Sequence, residues 1–220
     1  MKIEKTTLEF LTKLAKNNNR NWFQKNRGLY DDSRDNVLAV THFLIGEIAK
    51  FDSSVIGVDE KDCLFRIYRD SRFSNDKTPY KTNFGAFIRS GGRTAAGAGY
   101  YFHVEPGASM TGGGIYMPPA AELLAIRKTI AKNSAEFEKI IEDGKFTRRF
   151  GGLTDERLKT APRGFPKDHP AIEHLKWKHF IVSRNYGDRD VLSPRFLDSC
   201  LEDFMTMAVF NDYLNHAIGK

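Results

Sequence analysis

Leu8, Leu11 and Leu14 recur at helical spacing, with Thr6 or Thr7 placed as a cap. The pattern predicts a first helix that Asn17-Asn18-Asn19 ends. A second helical stretch covers about 21–51, with Trp22, Phe23, Tyr30, Val37, Leu38, Leu44 and Ile48 apolar and a break near Gly28. The period then changes. Residues 63–69 alternate in part, while 84–89 and 99–105 are rich in aromatic and β-branched side chains. A fourth strand is expected over 108–117, bent by Gly112-Gly113-Gly114. Glycine-rich 91–99 joins two of these strands, and short links favour antiparallel pairing, because a parallel crossover needs a dozen or so residues.

Helical spacing returns over 119–132 and over 134–142, with Ser134 as its cap. Asp168-His169-Pro170 opens another short helix, and 178–184 adds a strand. Ser193-Pro194 opens a long final helix whose buried stripe is Leu197, Cys200, Leu201, Phe204, Met205 and Ala208. No repeat, linker or low-complexity tract interrupts the chain. The expectation is a single α+β domain over 1–220, its mainly antiparallel sheet packed by N-terminal and C-terminal helices.

Composition narrows the class. The 220 residues are 40% hydrophobic and 12% aromatic, enough for a sizeable core. No apolar run approaches the roughly 20 residues that span a membrane. The start, MKIEKTTLEF, lacks the apolar segment of a secretory signal, so a cytoplasmic protein with no membrane partner is expected. Cys63 and Cys200 lie in apolar settings without a CxxC partner, which fits reduced core thiols and no metal site. The net charge of +6 favours anionic partners in general.

Residues 65–86, FRIYRDSRFSNDKTPYKTNFGA, are where that charge concentrates. Arg66, Arg69, Arg72, Lys77 and Lys81 alternate with Asp70, Asp76, Tyr68 and Tyr80. The apolar members allow the segment to pack, and guanidinium groups held by packing are pre-organised donors for phosphate or carboxylate. Arg69, Arg72, Lys77 and Lys81 are the candidate anion ligands. In the plainer alternative, Asp70 and Asp76 neutralise the arginines and the cluster only fixes a loop.

Tyr101, His103 and Glu105 alternate along one expected strand and so share a face, where His103 is the candidate acid–base group. His103-Val104-Glu105 lacks the P-C-x-x-C that a zinc deaminase requires. Gly112-Gly113-Gly114 is neither a P-loop nor GxGxxG, and reads as a bent strand or as room for a ligand beside the backbone. Arg163, near Asp168-His169-Pro170, is a possible fifth anion donor beside a helix start that Asp168 would cap.

RDSRFSNDKTPYKTNFGA, GYYFHVEPGASMTGGGIYMP at 99–118 and LKTAPRGFPKDHPAIEHLKWK at 158–178 occur in order, with NRNWFQKNRGLYDD before and FNDYLNHA after. Together they resemble the uncharacterised bacterial family called domain of unknown function 2461, over nearly the whole chain. One departure is Val209-Phe210, where a proline often precedes the closing motif. The resemblance implies a single α+β domain and brings no activity, cofactor or catalytic residue with it.

Three functions fit this sequence. The first is binding, with or without turnover, of a phosphorylated or carboxylated small molecule. The second is a nucleic-acid-binding module in which Tyr80 or Phe73 stacks on bases. The third is a protein-interaction domain with a structural Arg/Asp network. Cofactor and oligomeric state stay open.

Overall fold

Four strands, β1 (Phe84–Ile88), β2 (Gly99–Val104), β3 (Ser109–Ile115) and β4 (Phe180–Tyr186), form one antiparallel sheet in the order β1-β2-β3-β4. The structure is a computed structural model and describes residues 1–70 and 76–220. The fold class is α+β, as the pattern predicts. The chain gathers into two compact units, Met1–Ala95 with Tyr101–Thr111 and Asn185–Glu202, and Ala96–Tyr100 with Gly112–Arg184 and Asp203–Lys220.

The first unit begins with α1 (Lys5–Lys16), α2 (Arg20–Lys25) and α3 (Arg27–Ile48). Neither Thr6 nor Thr7 caps α1. Its N-cap is Glu4, and the Thr7 hydroxyl donates instead to Asn36 Oδ1 at 2.9 Å, which also accepts the Glu4 N–H. Asn19 caps α2 by accepting the Trp22 N–H. The break before α3 falls at Asn26, while Gly28 is helical. Phe10, Phe23, Tyr30 and Phe84 pack their rings together beneath β1.

The strand expected over 63–69 is reduced to isolated bridges, Leu64 to Ala86 and Tyr68 to Tyr80. The cause is local. Asp59 accepts the Lys61 N–H and caps a short helix, α4 (Glu60–Cys63), which takes the first of those residues out of extended geometry. What remains still runs antiparallel beside the approach to β1, through Phe65 N–H to Gly85 O and Lys81 N–H to Ile67 O, both 2.8 Å. A short α9 (Asp188–Val191) also belongs to this unit.

The second unit holds α5 (Ala120–Lys132), α6 (Ser134–Ile141), α7 (Gly144–Phe150), α8 (Ile172–Leu175) and most of α10 (Phe196–Ala217). Ser134 begins α6 without a side-chain cap. Phe137 is fully buried among Trp177, Phe180, Phe210 and Tyr213. The stripe expected on α10 is corrected. Met205 is 52% exposed and Leu201 and Ala208 are half-buried, whereas Met207, Phe210, Asn211 and Leu214 are buried. Asp203, wholly buried, accepts from Arg149 Nε at 2.7 Å and Arg184 Nη1 at 3.3 Å, so a polar residue occupies the core face there.

The triple glycine is also resolved. A Cβ on Gly113 would stand 2.2 Å from Met207 Sδ, and one on Gly114 only 2.0 Å from Phe180 O. The chain's own helix and neighbouring strand fill the space that a ligand would need. Cys63 and Cys200 are buried thiols, not joined in a disulfide. No helix among the described residues is long and apolar enough to cross a membrane.

Candidate functional site

Strand β2 alternates cleanly. Tyr100, Phe102 and Val104 are buried, while Tyr101, His103 and, just past the strand, Glu105 occupy the other, half-buried face. The expectation that these three share a face holds, and they also touch. Tyr101 Oη lies 2.8 Å from His103 Nδ1, and His103 Nε2 lies 3.0 Å from Glu105 Oε2. The Thr82 hydroxyl donates to Glu105 Oε1 at 2.7 Å. Four side chains thus form one hydrogen-bonded line in the first unit.

Two features fix that line. After Glu105 the chain turns on Pro106-Gly107, with Gly107 at φ 74, the left-handed value that a type II turn asks of its third residue. Ser109 Oγ accepts the Glu105 N–H at 3.0 Å and donates to the Glu105 carbonyl. At the other end, Gly85 leaves room for the phenol, since a Cβ there would meet Tyr101 Oη at 2.7 Å. Phe65 and Phe87 present ring edges to Tyr101 at 6.3 and 6.4 Å. Burial, and secondarily the Glu105 charge, push the Tyr101 phenol up to about 12, so it stays protonated at neutral pH.

Lys81 reaches the line through a shared aromatic neighbour. Its Nζ sits 5.3 Å from the centre of the Phe65 ring, the same ring that borders Tyr101. Burial, then the nearby guanidiniums of Arg66 and Arg93, hold the Lys81 ammonium below the ordinary lysine value. Among the described residues no carboxylate pairs with it. Arg93 is itself held by donating from Nη1 to Asp62 O at 2.8 Å.

The other expected anion ligands fare differently. Arg69 is engaged inside its loop, donating to Asp76 and, at 2.9 Å, to Thr78 Oγ1. Asp76, also accepting the Thr78 N–H, is held below the usual carboxylate range mainly by Thr78, with Arg69 contributing less. This is the local Arg/Asp network of the plainer alternative. Lys77 is exposed on the same loop, and Arg72 lies outside the described residues, as does Phe73. Arg163 belongs to the second unit, exposed in the turn closed by Phe165 N–H to Pro162 O. No helix start frames it. The helix α8 begins two residues beyond Pro170, and the N–H of its N-cap Ala171 donates to His169 Nδ1 rather than waiting for an anion or for Asp168.

Tyr80 is not available to stack on a base. It is 2% exposed and lies 4.0 Å from the Phe23 ring, while Asn18 pairs with both its backbone groups. Among the described residues no three of His, Cys, Asp and Glu gather as a metal site. Sequence reasoning missed Thr82 and Arg93 as members of the site, and it placed Arg66 in the basic cluster without choosing it as a ligand.

No curated protein and no solved structure matches this chain. One family model does, over residues 6–213, and its description is a conserved hypothetical protein, DUF2461. With nearly the full length covered, the chain belongs to that family, domain of unknown function 2461.

Proposed function

We propose that the Tyr101–His103–Glu105 face binds a small molecule carrying a phosphate or carboxylate and offers it proton transfer. Lys81 supports this reading most directly. A half-buried ammonium beside two arginines, with no carboxylate partner among the described residues, is electrostatically costly without an anion. An anion at Lys81 would relieve that cost, and the Tyr101–His103–Glu105 line beside it holds an imidazole between a phenol and a carboxylate. Lys77, exposed nearby in the chain, would add charge. Arg69, already paired, would order the loop. Arg163 is not needed.

The test is a thermal melt in inorganic phosphate against chloride at constant ionic strength. An anion that binds the native protein stabilises it by roughly 2.7 kcal/mol at a hundredfold excess over its dissociation constant. Phosphate should raise the melting temperature of the wild type and leave Lys81→Ala unmoved. No rise in the wild type would refute the site. Tighter binding to oligonucleotides than to phosphate, with a steep salt slope, would favour the nucleic-acid alternative instead.

A further inference from the structure

His103 cannot itself meet a ligand, because both of its ring nitrogens are taken. Nδ1 faces Tyr101 Oη at 2.8 Å and Nε2 faces Glu105 Oε2 at 3.0 Å. The proton positions along the line follow from its far end. The Glu105 carboxylate only accepts, and its Oε1 takes the hydrogen bond from the Thr82 hydroxyl. Its Oε2 must therefore receive Nε2–H from His103. A neutral imidazole protonated on Nε2 has a bare Nδ1, which can only accept. The Tyr101 O–H must then point inward, at Nδ1. What remains on Tyr101 Oη is lone pairs alone, so the outside group that suits it is a donor.

We infer that Tyr101 Oη, rather than the His103 imidazole, is the atom that meets the substrate, and that it accepts a hydrogen bond from a hydroxyl on the same molecule whose anionic group Lys81 holds. The substrate class is a hydroxylated phosphate or carboxylate, an inference that rests on the anion site proposed above. The hydrogen bonds then run in one direction: the substrate hydroxyl donates to Tyr101 Oη, Tyr101 O–H donates to His103 Nδ1, and His103 Nε2–H donates to Glu105 Oε2. Tyr101 stays a neutral phenol, in keeping with its burial. Tyr101 is the residue that touches the substrate, and His103, Glu105 and Thr82 are positioning residues.

Two measurements test this. Nitrogen-detected NMR of the histidine ring reads the tautomer in the free protein. We expect Nε2 protonated and Nδ1 bare on His103, and the opposite tautomer would overturn the inference. The second compares sn-glycerol 3-phosphate with propyl phosphate, which keeps the phosphate and three-carbon chain but lacks the hydroxyls. The wild type should bind glycerol 3-phosphate about tenfold more tightly, the scale of one hydrogen bond to a well-placed partner. Tyr101→Phe should bind the two alike, at the propyl phosphate level. Equal affinities in the wild type would overturn the role of Tyr101 while leaving the anion site standing. Binding of neither phosphate would remove the anion site itself.

Discussion

Gly85→Ala perturbs the relay without touching any of its members. The added methyl carbon would stand 2.7 Å from Tyr101 Oη, 3.2 Å from Cε2 and 3.3 Å from Cζ. The first distance is well inside contact, and the phenol ring is too stiff to yield at its tip alone. Tyr101 must swing as a body, away from His103. Overpacking of this kind costs roughly 1–3 kcal/mol, and loss of the Tyr101–His103 bond adds about 0.5–1.5 kcal/mol. Alanine in a strand recovers about 0.5–1 kcal/mol through the unfolded chain. The expected net is a destabilisation of about 1–3 kcal/mol in urea unfolding, with a changed His103 imidazole resonance. Gly46→Ala is the internal control. Gly46 is exposed inside α3 with no atom within 4 Å of the added carbon, and should stabilise by about 0.5–1 kcal/mol. If Gly85→Ala stabilises as Gly46→Ala does, the packing of Tyr101 over Gly85 is wrong, and the relay with it.

Two further outcomes are expected. Asp203→Ala removes a wholly buried carboxylate from between Arg149 and Arg184, and should lower unfolding free energy by about 3 kcal/mol, measured in urea. A change under about 1 kcal/mol would show that the pair contributes little. Alkaline pH should weaken the fold. Burial, with Asp62 adding to it, pushes the Cys63 thiol from 9.0 up to about 11, while Tyr101 and Tyr213 rise from 10.0 to about 12. A raised pKa favours the protonated native form, so this stability is complete below the unfolded values and drains as pH climbs through the folded ones. The urea midpoint should fall from about pH 9 upward, and Cys63→Ala should flatten the first part of that fall. A midpoint that holds steady from pH 9 to 11 contradicts the burial of these groups.

Period-two alternation made the face of Tyr101, His103 and Glu105 legible, because strand geometry alone puts every second side chain on one side. Their partner Thr82 was not legible, being 23 residues from Glu105 and joined to it only by the folded chain. Arg93 was hidden for the same reason, placed by a carbonyl 31 residues away. The helix at Glu60–Cys63 was missed because one Asp59 cap outweighed the strand-like residues after it. Helix α7 escaped notice although Asp143 caps it by accepting two N–H groups, since it is too short to show a period. The glycines of β3 announced a special backbone, but only the fold could say that Met207 and Phe180 were what pressed against it. The basic loop was visible as a charge cluster. Which cations were already paired depended on Asp76 and Thr78 turning back onto Arg69.

The order in which a ribosome delivers this chain bears on how it folds. The first unit uses Met1–Ala95, Tyr101–Thr111 and Asn185–Glu202, and the second uses the stretches between and after. Most multidomain chains let an N-terminal portion fold while the rest is still being made. Here residues 1–95, with Phe10, Phe23, Tyr30 and Phe84 among them, emerge early but lack the later stretches of their own unit until Glu202 has been added. Those four rings can close on one another early, but the surface that Asn185–Glu202 completes stays open through most of synthesis, a period in which holding chaperones have something to bind.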